Sequence, residues 1–182
     1  MGAVADPRDH GPAMPRNAAD HVTVADAPRD VARFKLEDFL PYRLNVLSSF
    51  ASQALSKVYA ARYKIGIPEW RVLVTLGHFG IMTAKAVGDH SHMHKTKVSR
   101  AVAALEQRKL VARKVNRDDM RETFLSLTPA GRAIYEEVVP AALEFTRQLL
   151  NVVEPADRPA LDRALTRLTE RCAELANEQD RR

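Results

Sequence analysis

The stretch HKTKVSRAVAALEQRKLVARKVNRDDMRETFLSLT, residues His94 to Thr128, decides the fold. Val98, Ala101, Val102 and Leu105 stand at i, i+3, i+4 and i+7, the spacing that lines one face of a helix with apolar side chains. The other faces carry Lys95, Thr96, Lys97, Ser99 and Arg100, cations and short hydroxyls crowded toward the helix N-terminus. ARKVNRDDMRETFLSLT then reads as two strand-like runs joined by a charged turn. From His94 to Arg117 there are eight Lys or Arg against one acid, Glu106, a net of +7, whereas the whole chain carries +5, so everything else sums to −2. Positive charge is concentrated on one helix and one hairpin, which is what phosphate neutralisation requires. The bland alternative, a merely solvated basic face, does not account for the charged hairpin that follows.

The rest of the chain bounds this reading. Its 182 residues suit about one domain with a real core, and seven glycines amid frequent Ala, Leu, Arg and Glu favour helices over a sandwich or barrel. No apolar run approaches the roughly 18 residues that span a bilayer, and the N-terminus lacks the apolar region of a signal peptide. The expectation is a cytoplasmic protein. The one cysteine, Cys172, leaves no partner for a disulfide or a CxxC metal site. Gly-rich phosphate loops, GxSxG and HExxH are all missing, so neither an enzyme nor a cofactor is expected.

Residues 1–33, with Pro7, Pro12, Pro15 and Pro28 and few large apolar side chains, read as a disordered tail. Leu40, Leu44, Leu47, Ala51, Leu55 and Val58 mark a first helix from Leu36 to about Lys64, with Pro41 tolerated in its first turn. Gly66 and Pro68 open a second, EWRVLVTLGHF, closed by Gly77 and Gly80; Thr83 N-caps a third through about His90. His94 to Arg108 is the fourth. Thr128 caps a fifth, with Ile134, Val138, Ala142, Phe145 and Leu149 on one face and Pro140 expected to kink it. A last helix from about Pro155 to Glu178 carries Leu161, Leu165, Leu168, Cys172 and Leu175 at spacings of 4, 3, 4 and 3, a narrow seam suited to another helix, plausibly a second subunit's.

This order of helices around a recognition helix and two-stranded wing resembles the MarR family. PEWRVLVTLGHFG is similar to the family's second helix, MHKTKVSRAVAALEQRKLVAR to its recognition helix and first wing strand, and RDDMRETFLSLTPAGR to its wing and the start of helix five. The resemblance covers roughly residues 36–178. It implies a mainly α winged helix-turn-helix fold with a small two- or three-stranded antiparallel wing. In that fold residues 34–64 and 145–182 form dimerisation helices around a DNA-binding lobe, 65–144. It further implies a homodimeric repressor of double-stranded DNA with a small-molecule pocket between interface and lobe; relatives often answer to aromatic or phenolic acids. Family wings commonly carry Asp-Asp-Arg-Arg at the tip. This chain has Asp118, Asp119, Met120 and Arg121, so wing contact is weaker or shared with Arg117.

Site residues follow from these readings. Thr96, Lys97 and Arg100 are the base-edge candidates, because residues near the N-terminus of a helix in the major groove reach base edges. Lys95 and Ser99 are candidates for phosphate, and Arg117 and Arg121 for the minor groove, where narrow A·T tracts attract arginine. Trp70 reads first as a core anchor. Its region lines the ligand pocket of relatives, so the effector candidates are Tyr42, Arg43, Trp70, Arg71 and His78, with Arg43 as counter-ion to a carboxylate. His90, His92 and His94 have a spacing that zinc could use, but polar turn and cap residues are the better reading, and no metal is expected. Cys172 sits on an apolar stripe, a poor place for a reactive thiolate, and is read as a core residue. The rival functional class is a constitutive or architectural DNA-binding protein with no effector.

Overall fold

The computed structural model describes residues 31, 33–115 and 123–179. The chain groups into two compact units, Met1–Arg43 and Leu44–Arg182. In the first, the described residues contain a 3-10 turn at Leu36–Asp38 and an edge-on pair of rings, Phe34 and Phe39, with centroids 5.4 Å apart. Val31, Phe34, Leu36, Phe39 and Leu40 are all exposed there. Except for residues 31 and 33, the expected tail lies outside the described residues.

Helix α1, Leu40–Tyr63, runs from the first unit into the second. The second unit continues with α2 (Ile67–Phe79), the short strand β1 (Met82–Thr83), α3 (Ala84–Ser91) and α4 (Lys95–Gln107). Strands β2 (Val111–Val115) and β3 (Thr123–Leu127) lead into α5 (Pro129–Leu149) and α6 (Arg158–Gln179). The three strands form one antiparallel sheet in the order β1, β3, β2, with Met82 opposite Leu125 and Arg113 opposite Leu125 on the other side. The wing is therefore three-stranded, its third member supplied by two residues between α2 and α3.

Local chemistry explains the boundaries. Glu69 reaches back to the Gly66 N–H at 2.9 Å to close the start of α2, and Thr83 Oγ1 accepts from Ala86 N–H at 3.1 Å to start α3. Gly80, at φ 84°, ends α2 in the left-handed region that glycine enters without penalty. Gly77, expected to help close that helix, lies inside it instead. A Cβ at this position would overlap the ring of Tyr135, so the glycine serves helix packing, not termination. Pro140 lies within α5, which continues from Pro129 to Leu149 through the proline.

Among the described residues, the buried apolar core runs from Tyr59 to Val138 and draws none from α6. Val98, Ala101, Val102 and Leu105 are its share from α4, each at most 2% exposed. Fully burying one such side chain is worth roughly 1.5–3 kcal/mol. This fixes which face of α4 turns inward and hence which side chains it presents to solvent. Along α6, Leu165, Leu168 and Leu175 remain exposed, and along α1 so do Leu47 and Phe50.

Candidate nucleic-acid interface and the cavity beside it

Helix α4 starts on His94, whose Nδ1 accepts from the Thr96 N–H at 3.3 Å while its carbonyl accepts from Lys97 N–H at 2.8 Å. Lys95, Thr96, Lys97, Ser99 and Arg100 are all exposed. At about 100° per residue, Thr96, Arg100, Ala103 and Gln107 lie opposite the buried stripe, on the outermost line of the helix. Lys95 and Ser99 fall on one flank and Lys97 on the other.

The flanks lead to different places. Lys95 and Ser99 share a groove of about 390 Å³ with Lys85 and Asp89 of α3, floored by Met93 and Val98. Lys85 is a candidate that the sequence reading did not single out, brought beside Lys95 and Ser99 by the groove. Its signal was there, a cation in the first turn after the Thr83 cap, one helix before the recognition helix. Lys97 instead lines a cavity of about 540 Å³ formed by α1, the start of α2 and the turn between α3 and α4. Asn45, Ser48, Ser49, Ser52 and Gln53 supply its α1 wall, Ile67, Pro68 and Arg71 its α2 wall, and His92, Met93, His94 and Lys97 the third. Arg71 Nη2 donates to Ser52 Oγ at 3.4 Å across it.

Of the five effector candidates, Arg71 is the one among these lining residues. Trp70 is 6% exposed and stacks on Tyr59 with ring centroids 5.0 Å apart, so it belongs to the core and not to the cavity wall. That burial pushes the Tyr59 hydroxyl up to about 12, partly offset by nearby Arg71. His78 is exposed in the last turn of α2, edge-on to Phe79, whose ring in turn meets His90 at 4.3 Å. Tyr42 and Arg43 lie in the first turn of α1, within the first unit; Tyr42 is half-buried and Arg43 exposed.

The histidine string is dispersed by the turn. His90 joins the Phe79 ring, His92 adopts φ 50° after α3, and His94 caps α4. Among the described residues no group of three His, Cys, Asp or Glu is placed to hold a metal ion. Cys172, expected in the core, is exposed instead and lines a second cavity, about 480 Å³, with His92, Leu44, Leu165 and Leu168.

The basic segment is less uniformly free than its charge implies. Arg113 on β2 makes a two-pronged pair with Glu106 of α4, Nε to Oε1 at 3.0 Å and Nη2 to Oε2 at 2.8 Å. The carboxylate pushes the Arg113 pKa further up. This pair braces the wing on the recognition helix and removes one cation from those counted toward phosphate. Arg117 and Arg121, with Asp118, Asp119 and Met120, lie outside the described residues. Thr128 ties the junction from the other side: its N–H donates to Leu110 O at 3.0 Å, and its Oγ1 donates to Lys109 O at 2.7 Å while accepting from Gly131 N–H at 3.1 Å.

Comparison with known proteins places this geometry. Residues 63–122 match the sequence profile of the MarR family. Over 92 residues, half of this chain, the sequence is 30% identical to the uncharacterized HTH-type transcriptional regulator YwoH of Bacillus subtilis, and the match spans 66% of that relative's length. Bordetella bronchiseptica BpsR, whose DNA binding is regulated by 6-hydroxynicotinic acid, is 26% identical and superposes with a TM-score of 0.60 over 70% of this chain and 98% of its own. A MarR/EmrR family transcriptional regulator from Acinetobacter sp. ADP1, also 26% identical, gives a TM-score of 0.70 over 78% of this chain and 99% of its own.

Proposed function

The chain belongs to the MarR family of transcriptional regulators, and from that premise we propose that it is a homodimeric repressor released from a pseudo-palindromic operator by a small aromatic or phenolic acid. The observation that carries this reading is the double position of α4. Its outer line carries Thr96 and Arg100 toward a major groove, and Lys95, Ser99 and Lys85 flank them for phosphates. Its inner flank places Lys97 in the wall of a cavity. Lys97, first read as a base-edge residue, is therefore reachable by DNA from one side and by a ligand from the other.

The cavity volume of about 540 Å³ falls in the range of small-molecule sites. Arg71 and Lys97 supply positive charge for an acid, and the α1 serines supply hydroxyls for its polar substituents. BpsR, regulated by a hydroxylated aromatic acid, supports the same class here. Arg71 thus replaces Arg43 as the counter-ion. An acid that captures Lys97 and shifts the His94 turn binds the DNA-free arrangement better, which is the differential affinity that release requires.

Dimerisation is proposed on the exposed apolar side chains of α1 and α6. The helices 34–64 and 145–182 thereby act as the interface and 65–144 as the DNA-reading lobe. The deciding experiment is selection of bound fragments from genomic DNA. A pseudo-palindrome with half-sites about one helical turn apart supports the proposal. Equal binding of all fragments supports the constitutive, architectural alternative and overturns it.

A further inference from the structure

Arg108 follows α4 directly and caps it, and its side chain leaves the DNA-facing surface altogether. The guanidinium reaches back to the end of α1, where Nη1 donates to Lys64 O at 3.0 Å and Nη2 to Tyr63 O. Helix ends leave carbonyls without intrahelical partners; Tyr63 O is one of them, and Lys64 O follows just beyond the helix end. Lys64 sits at φ 51° and Lys109, next to Arg108, at φ 57°. Both chains therefore turn sharply on either side of the contact, and the planar two-pronged donor holds them together with a fixed geometry. Among the described residues, these are the hydrogen bonds that join the end of α1 to α4. The apolar core beneath, with Leu105 and Leu110, does not depend on this exposed side chain.

We infer that Arg108 is a positioning residue that sets the pitch of the recognition helix against α1, and so the spacing of the half-sites that a dimer accepts. The inference rests on the reading of α1 as a dimer helix. The lever is long. From Arg108 to Thr96 is 12 residues, about 18 Å of helix, so a tilt of about 5° at the clamp moves the reading turn by roughly 1.5 Å. Base-edge hydrogen bonds do not survive displacements of that size. The apolar core resists gross motion of α4, but a two-pronged bond at its far end is what fixes its angle.

The test uses the full chain and an operator selected with the wild type from a random pool. Affinity is measured for that operator and for versions whose spacer is one base pair longer or shorter. The wild type is expected to prefer its own spacing by at least tenfold. Arg108→Met, which keeps the stem and loses the donors, should prefer it by less than threefold, and Arg108→Lys, with a single-pronged donor, should fall between. Melting temperature and dimer mass accompany each measurement, and if Arg108→Met does not fold, Arg108→Lys and Arg108→Gln carry the comparison. If affinity falls equally on all three spacings and the preference survives, Arg108 contributes only charge or stability and the inference is overturned. A monomeric wild type, or a selected site without paired halves, overturns the dimeric reading first and this inference with it.

Discussion

Replacing Gly131 by alanine separates packing from helix propensity with opposite signs. Gly131 is the third residue of α5, and in an exposed helix the change would stabilise by up to about 1 kcal/mol. Here a Cβ would overlap the Leu110 carbonyl oxygen and lie 3.0 Å from the carbonyl carbon. The obstacle is backbone, so no side-chain rotation relieves it, and the start of α5 must move away from the junction of α4 and the wing. That movement stretches the Thr128 N–H bond to Leu110 O and the Thr128 Oγ1 bond to Lys109 O. Two such bonds are worth about 1–3 kcal/mol, and forcing volume into a packed site costs about 1–3 kcal/mol more. After the propensity gain, a net loss of about 1–5 kcal/mol remains, which for a chain of this size lowers Tm by roughly 2–20 °C. Calorimetry at one fixed protein concentration measures it, because the Tm of any oligomer depends on concentration. Ala133→Gly, at an exposed position of the same helix, should lose only about 1 kcal/mol. A Gly131→Ala protein as stable as the wild type would refute the close approach as the reason for glycine.

Four other outcomes follow. If the proposed aromatic acid binds the cavity, Arg71→Met should weaken it at least tenfold by calorimetry and leave operator affinity near normal, whereas Arg43→Ala should change neither; the opposite ranking would move the counter-ion back to Arg43. Leu168→Glu with Leu175→Glu should give a monomeric mass by light scattering, since each places a charge on an exposed apolar seam; an unchanged dimer would remove α6 from the interface. Arg100→Ala should cost about 1–3 kcal/mol on the operator and relax preference at one base pair, while Lys85→Ala should weaken all DNA alike and flatten the salt slope by about one unit per protomer; equal losses on operator and random DNA for both would cancel the assignment of Arg100 to a base. Tyr59 has a folded pKa raised to about 12 from 10.0, so its share of stability is complete below pH 10 and is lost as pH rises toward 12; Tyr59→Phe should remove a tyrosinate absorbance step near pH 12, and an unchanged titration would contradict it.

What was legible in the sequence was whatever a single helix or strand decides locally. The stripe Val98, Ala101, Val102 and Leu105, the caps Thr83 and Thr128 and the exposed seam of α6 are all written in spacings of a few residues. What failed to show was which faces oppose one another. Trp70 and Arg71 are neighbours about 100° apart on α2, so one enters the core and the other the cavity. His78 shares the azimuth of Arg71 but stands two turns, about 10 Å, farther along the helix. The α1 serines were passed over because hydroxyls on an exposed helix face carry no local signal until another helix lies opposite. Gly77 misled for the same reason: glycine breaks helices by propensity, and only the Tyr135 ring explains its place inside one. Arg113 counted as a free cation because its partner, Glu106, is brought close only by the turn from α4 into β2.

These attachments give the recognition helix two unlike ends. At its C-terminus, Arg108 holds α1, Glu106 holds the wing strand through Arg113, and Thr128 locks the following residues onto α5. At its N-terminus, the described hydrogen bonds include the local His94 cap at 3.3 Å, in the wall of the cavity, and the Met93 N–H bond to Gly88 O at 3.1 Å that ties the preceding turn to α3. A helix N-cap is worth about 0.5–2 kcal/mol, and a hydrogen bond to a charged group such as Lys97 about 1.5–3 kcal/mol. Allosteric coupling of 5- to 150-fold requires only about 1–3 kcal/mol. An occupant that displaced the cap and engaged Lys97 would therefore reach the required magnitude without unfolding anything, at the end that carries the base-edge candidates Thr96 and Arg100. Under the proposed function, the firm end would serve as the pivot about which a bound acid shifts the first turn of the helix.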